Sequence, residues 1–218
     1  MISIIIPTLN EEKNIGKVID DLKKHAPLNS QIMIVDSGSQ DETLKIAKEK
    51  GIEIYQLDVR GKGKAMRFGA EEAKGEILVF IDGDGSYSPS GLGRLIEPIL
   101  QERADIVYGS RFLPNSKREI SLIRYLGNKL FILLGFLLYG KTTDFLTGFF
   151  GIKKDAFSEL NLKSNGFEIE TEIFAKAAKK NLKMEEVPIE YTKSGESKLN
   201  PLKDGFKILI TLLINKIS

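Results

Sequence analysis

Ile77-Leu78-Val79-Phe80-Ile81-Asp82-Gly83-Asp84 is an unbroken apolar run that ends in two carboxylates one residue apart. A short stretch rich in β-branched and aromatic residues reads as a strand buried on both faces. In α/β sheets, ligands bind outside the carboxyl ends of the strands. Asp82 and Asp84 therefore emerge where a ligand belongs. Hard oxygen ligands suit Mg²⁺ or Mn²⁺, which usually take one or two protein carboxylates and fill their shells with water and substrate phosphates. The plainer reading is an acidic turn, since Asp and Gly are ordinary turn residues.

Working outward, further β-rich runs lie at Ile2 to Ile6, Gln31 to Val35, Ile52 to Gln56 and Asp105 to Tyr108. Helically spaced stretches near 12–25, 41–50, 62–74 and 89–101 separate them; Ile15, Val18, Ile19 and Leu22 share one face. Pro89 after Ser88 marks a helix start. This alternation predicts an α/β fold with a mainly parallel sheet. Beyond about residue 115 the pattern changes to two markedly apolar helical stretches, a Gly-rich turn at Thr147-Gly148 and one more strand near Met184 to Ile189. No linker or repeat intervenes, so 1–115 and 116–218 are expected to be two halves of a single domain.

The chain has 218 residues, 42% of them apolar, enough for a substantial core. Without cysteine there is no disulfide framework and no thiolate site, in keeping with a reducing, cytoplasmic setting. A net charge of +2 gives no general case for binding nucleic acid. The first apolar run is stopped by Pro7 and reads as a strand rather than a secretion signal. Leu130 to Tyr139 and Ile208 to Ile214 are strongly apolar but shorter than the roughly 20 residues of a spanning helix, so neither is expected to cross a bilayer. Arg124 and Lys129 accompany the first, and Lys203, Lys207 and Lys216 flank the second. Such helices lie in a headgroup plane on the cytoplasmic face, or pack as core or against a second subunit in a homodimer.

Pro7-Thr8-Leu9-Asn10-Glu11 follows the first strand, Val35-Asp36-Ser37-Gly38-Ser39-Gln40-Asp41 the second, and Asp82-Gly83-Asp84 the fourth. A parallel sheet gathers all three at one edge, where they can surround a nucleotide and its metal-bound diphosphate. Together they resemble the GT-A glycosyltransferases of family 2. The resemblance continues through Gly109-Ser110-Arg111-Phe112, Asp144 before Thr147-Gly148-Phe149, Gly166-Phe167-Glu168-Ile169-Glu170, Glu186-Val187-Pro188-Ile189 and Gly195-Glu196-Ser197-Lys198-Leu199. This second set is similar to the dolichyl-phosphate mannose synthases and related polyprenyl-phosphate glycosyltransferases.

The resemblance implies a GT-A fold and a metal-dependent, inverting transfer of a hexose, mannose or glucose, from a nucleotide-diphosphate sugar to dolichyl or polyprenyl phosphate. It implies that Asp82 and Asp84, with Ser86, hold Mg²⁺ or Mn²⁺, and that Pro7, Leu9, Glu11, Val35, Ser37, Asp82 and Gly83 hold the nucleoside. Arg111, Arg124, Lys193 and Lys198 would face phosphates of donor or acceptor; Arg pairs well with two phosphate oxygens at once. Ser37 stands where relatives usually carry a second Asp that recognises the base, Leu9 where an aromatic is common, and Phe150 where an Arg often follows. The loop from Pro188 to Gly195 is about two residues shorter than in the mannose synthases. An anionic acceptor needs no strong base, whereas a sugar hydroxyl does, for which Asp144 is the first candidate, followed by Glu168 or Glu170. A catalytically silent nucleotide-sugar-binding module is the third reading. Arg60-Gly61-Lys62-Gly63-Lys64 matches neither a P-loop nor a dinucleotide fingerprint and reads as a mobile basic segment near the donor or a plain loop into a helix.

Overall fold

The computed structural model describes residues 1–140, 142–192 and 198–217. The strands are β1 (Ile2–Thr8), β2 (Gln31–Asp36), β3 (Glu53–Gln56), β4 (Ile77–Phe80), β5 (Ile106–Ser110), β6 (Lys117–Arg118), β7 (Phe150–Lys153), β8 (Met184–Pro188) and β9 (Glu190–Tyr191). The helices are α1 (Ile15–His25), α2 (Thr43–Glu49), α3 (Lys62–Glu72), α4 (Leu92–Leu100), α5 (Leu122–Tyr139), α6 (Lys154–Glu159), α7 (Ile169–Lys179) and α8 (Pro201–Ile217). A 3₁₀ turn at Pro89–Gly91 leads into α4, as the proline there predicts. The main sheet has the order β3-β2-β1-β4-β7-β5-β8, and β6 pairs with β9 in a small second sheet.

Strand periodicity explains how the sheet is covered. Successive side chains point to opposite faces, so Ile5, Leu78, Phe80 and Tyr108 join one core cluster while Ile4, Ile6, Val79 and Val107 join the other. The first is covered by residues of α3, α5, α6, α7 and α8, including Met66, Ile132, Phe157, Phe174 and Leu212. The second is covered by α1, α2 and α4 through Ile15, Ile19, Ala47, Leu92 and Leu95. With both faces covered, all of Ile77–Phe80 is buried, as its unbroken apolar run predicts.

The α/β fold with a mainly parallel sheet and flanking helices stands as expected, with strand ends shifted by a residue or two. One strand is new. β7 inserts between β4 and β5 and runs antiparallel to both, pairing Phe150 with Phe80 on one side and with Tyr108 on the other. Its four residues carry a glycine and follow the Thr147-Gly148 turn, which left too short a pattern to mark a strand. The reversed direction places Thr147-Gly148 at the edge where β1, β2, β4 and β5 end.

α5 is also longer than its apolar run, because it begins at Leu122 and absorbs Arg124 and Lys129. At 18 residues it is, by length and composition alone, long and apolar enough to cross a membrane, and 11% of it is buried.

Phe150 locks the inserted strand into the core, stacking on Phe80 at 5.0 Å and tilting against Tyr108 at 5.9 Å with no exposed surface. Phe150→Ala should therefore cost about 3–5 kcal/mol in urea unfolding. A loss under about 1 kcal/mol would mean that β7 is not held by this packing.

Candidate active site

The loops after β1 and β2 are tied together by reciprocal hydrogen bonds. The backbone N–H groups of Gly38 and Ser39 both donate to Asp36 Oδ1, at 2.9 and 2.8 Å, closing an Asx-type turn with Gly38 at φ +89°. Thr8 donates to Asp36 Oδ2 at 3.1 Å from the neighbouring strand. Asn10 N–H donates to Ser39 Oγ, Gln40 N–H returns to Asn10 Oδ1, and Glu11 N–H donates to Thr43 Oγ1. This is a braced rim at the carboxyl edge of the sheet. Ser37 lies at it, nearly buried, with Pro7 and Leu9 half-buried beside it. Val35 has no exposed surface and packs into the core, so its side chain does not line the rim.

Lys198 crosses this rim. Its ammonium donates to Asn10 O at 2.8 Å, to Leu9 O and to the Glu11 carboxylate. Burial raises the Glu11 pKa, and Lys198 offsets that only in part. Lys193 and the Gly195–Ser197 part of the last motif lie outside the described residues.

Asp82 and Asp84 stand at the end of β4. Burial, with Asp82 adding like charge, raises the Asp84 pKa; Ser86 counters through a backbone N–H at 2.9 Å. Ser86 is buried and so braces Asp84. Two chain segments crowd close to this turn. A Cβ on Gly83 would come within 2.9 Å of Thr8, and one on Gly148 within 2.2 Å of Asp82 Oδ2, so each needs glycine. Gly148 N–H donates to the Tyr87 hydroxyl at 2.9 Å, and Tyr87 in turn meets Tyr191 edge-on at 5.1 Å.

Arg60-Gly61 leads into a helix, as one reading of this stretch expected, but Lys62 itself is held in place. Lys62 begins α3, and its ammonium lies 2.6 Å from Asp82 Oδ1 and 2.5 Å from Glu170 Oε1. Burial would lower its pKa, but the two carboxylates more than offset this and keep it charged. Burial raises the Glu170 pKa, with Lys62 opposing. Glu170 is therefore a member of a buried ion triad rather than an open base at a helix start. The sequence signal was available in Gly61-Lys62-Gly63, two glycines bracketing a lysine, but nothing in it named the partners. Among the described residues no group of three or more His, Cys, Asp or Glu closes around an ion. Two hard carboxylates on one turn nevertheless fit a divalent cation that takes the rest of its shell from water and a diphosphate.

Arg111 and Asp144 form a second buried pair. Arg111 Nε and Nη2 each donate to Asp144 at 2.7 Å, the Arg111 backbone N–H adds 2.9 Å, and Nη2 also reaches Leu146 O at 3.0 Å. Burial opposes the charged guanidinium and Asp144 more than restores it. Asp144 has no exposed surface and both oxygens are engaged, so it braces Arg111 and is not placed as a base. Glu186 fixes the segment before it, accepting from the backbone N–H groups of Thr143 at 2.7 Å and Asp144 at 3.2 Å. Arg111 Nη1 has no hydrogen-bond partner among the described residues, and the guanidinium lies 5.3 Å from the Tyr191 ring.

Next to Arg111 is a cluster of which the sequence motifs mark only Phe112. Phe112 and Tyr125 of α5 meet edge-on at 5.7 Å; Arg118 lies 5.4 Å from the Phe112 ring and Lys129 4.4 Å from it. Arg118 also donates to Arg111 O at 3.2 Å. Neither Arg118 nor Lys129 has an acidic partner among the described residues. Arg124, the neighbour singled out from sequence, is exposed one position from Tyr125.

A buried pair broken on one side leaves an uncompensated charge. Arg111→Met is expected to lose about 3–5 kcal/mol of stability, and adding Asp144→Asn to restore a good part of it. Equal losses in single and double variants, read by urea unfolding, would contradict the pairing.

Residues 3–160 match the family described as Glycosyl transferase family 2. The UDP-N-acetylglucosamine–dolichyl-phosphate N-acetylglucosaminyltransferase of Methanococcus voltae is 33% identical, with 100% of this chain and 96% of that protein covered. The dolichol-phosphate mannosyltransferase of Pyrococcus furiosus is 32% identical over 91% of this chain and 59% of its own length. Among solved structures, glucosyl-3-phosphoglycerate synthase from Mycobacterium tuberculosis, in complex with Mn²⁺, UDP-glucose and phosphoglyceric acid, matches with a TM-score of 0.82 at 23% identity, covering 99% of this chain and 79% of that one. With its mostly parallel sheet, its Asp82-Gly83-Asp84 strand end and these relatives, the chain belongs to glycosyl transferase family 2 and has the GT-A fold.

Proposed function

We propose that this enzyme transfers a hexose, mannose or glucose, with inversion, from a nucleotide-diphosphate sugar to dolichyl or polyprenyl phosphate, as a peripheral protein on the cytoplasmic face of a membrane. The observation that carries the reading is an exposed apolar face next to the sugar-transfer edge. Leu122, Leu126, Leu130, Leu133 and Leu137 of α5 recur at helical spacing, and each is more than half exposed. Leu202, Phe206, Leu213 and Ile217 extend the face on α8, which is tied to α5 by a Tyr139 hydroxyl donating to Leu212 O at 2.6 Å. Contiguous apolar surface of this kind marks a membrane or protein contact. Arg124, Lys129, Lys203, Lys207 and Lys216 fringe it, which favours an anionic lipid surface over a second copy.

The Phe112–Tyr125 cluster with Arg118 and Lys129 joins that face to Arg111. It suits an anionic headgroup with an apolar tail, since neither cation meets a carboxylate among the described residues and the rings present apolar surface. Asp144 and Glu170 are both tied to cations, which agrees with an acceptor that brings its own anionic oxygen. Asp84 and Asp82 would hold Mg²⁺ or Mn²⁺, which would neutralise charge developing on the departing nucleoside diphosphate. Pro7, Leu9, Glu11 and Ser37 form the rim against which a nucleoside would rest, with Lys198 positioned over it. The named relatives use different sugars, so the hexose is an expectation from the sequence resemblance.

Radiolabelled sugar from a panel of nucleotide sugars should enter the organic phase with dolichyl phosphate and Mn²⁺ or Mg²⁺. Chelation or Asp84→Asn should reduce that transfer by about 10²-fold or more. Donor hydrolysis with no organic-phase product would instead point to a hydroxyl acceptor. Vesicles containing anionic lipid should sediment the protein at low salt, and the pair Leu126→Asp and Leu130→Asp should abolish sedimentation without loss of fold. Unchanged sedimentation, or a dimer in analytical ultracentrifugation that the same pair dissolves, would assign the face elsewhere.

A further inference from the structure

We infer that Lys62 is a resident cation of the donor site, which keeps a divalent metal from binding alone and admits it together with the diphosphate of the donor. The inference rests on the metal-dependent reading above and adds an order of assembly to it. Its basis is the placement of one side chain. The ammonium sits between Asp82 and Glu170 at 2.6 and 2.5 Å, and the lysine side chain is only 12% exposed. Asp82 is one of the two carboxylates expected to hold the metal, so the lysine occupies one of the oxygens that a metal would use.

Several features fix Lys62 there. A Cβ on Gly61 would lie 2.3 Å from Asn165 O, and one on Gly63 2.3 Å from Ser164 O, so the backbone on both sides of the lysine is packed against a second segment. Gly63 N–H donates to Asn165 O at 3.0 Å, and Arg67, one turn further along α3, donates to Ser164 O and to Asn165 Oδ1. That segment is held by Glu172, which accepts from the backbone N–H groups of Lys163 and Ser164. The Phe167 ring lies 5.6 Å from the ammonium. A surface lysine samples many rotamers; this one is tethered at both ends.

The charge arithmetic gives the consequence. Asp82 and Glu170 share the single ammonium of Lys62, and Asp84 stands beside them. Removing that cation leaves a more negative wall with Asp82 Oδ1 uncovered, and like any such site it takes Mn²⁺ more tightly. A diphosphate arriving with the metal offers the ammonium a different anion. Lys62 can then turn from Asp82 toward a phosphate oxygen, and Asp82 becomes available to the metal. The metal and the nucleotide are thereby coupled through one side chain, so each tightens the other by the same factor.

Mn²⁺ binding, followed by the electron paramagnetic resonance signal of the free ion, tests this without any turnover. The native protein should bind Mn²⁺ weakly alone and about tenfold or more tightly with UDP present. Lys62→Met leaves Glu170 buried and unpaired, so the folding-safe comparison is Lys62→Met with Glu170→Gln against Glu170→Gln alone. The double variant should bind Mn²⁺ alone at least about fivefold more tightly, and UDP should add correspondingly less. Lys62→Arg should behave as native. Affinities for Mn²⁺ alone within about twofold between Glu170→Gln and the double variant would overturn the inference while leaving the metal site standing. A native protein that takes no Mn²⁺ with any of UDP, GDP, ADP, CDP and dTDP would overturn the metal-dependent reading as well.

Discussion

The antiparallel ladder of Phe150–Lys153, between Ile77–Phe80 on one side and Ile106–Tyr108 on the other, is the constraint on which the donor edge depends. A parallel strand in that slot would deliver its leading turn to the far side of the sheet. The reversed strand delivers Thr147-Gly148 beside Asp82, with no room for a side chain between them. It also sets the stretch from Thr142 to Leu146 next to the end of β5, where Arg111 waits for Asp144. One strand direction therefore brings the second half of the chain to the carboxylates supplied by the first.

Charge at that edge is arranged in three separate ion-paired groups, and their differences are informative. Arg111 and Asp144 form a bidentate, nearly buried pair, the state in which an ion pair braces a fold. Lys198 and Glu11 meet at a more open rim, where exchange for a ligand is less costly. Lys62 stands between these extremes: buried, but shared by two carboxylates, so that losing one still leaves it paired. A cation shared in this way can change partner without ever being left alone in a low-dielectric wall, which is the physical requirement for a switch at a buried site.

The apolar stripes of α5 and α8 carry a different lesson. Both helices bury a few residues, such as Ile132, Ile208 and Leu212, where they pack against α7 and each other, and leave their leucine-rich sides uncovered. Burial against the body orients the helices, and what remains exposed is set by the same periodicity. The aromatic and cationic cluster around Phe112 and Tyr125 sits where the stripe meets Arg111, so apolar surface and cationic side chains are continuous over a short distance.

The sequence by itself determined the strands that bury both faces, the helices between them, the family and the carboxylate turn at Asp82-Gly83-Asp84. Those features are local: a run of β-branched residues, a helical spacing or a motif at a strand end is complete within a few residues. It did not reveal β7, whose four residues with a glycine carry no period long enough to read, nor the full length of α5, whose charged first turns interrupt the apolar count. Nor did it reveal that Asp144 is bound to Arg111 or that Lys62 bridges Asp82 and Glu170. Each of those pairs residues far apart in the chain, and their meeting is decided by the direction of β7 and the docking of α3 against the segment before α7. Residue type and spacing specify what a side chain can do; which oxygen faces which cation was decided only when the packed sheet brought distant segments to one edge.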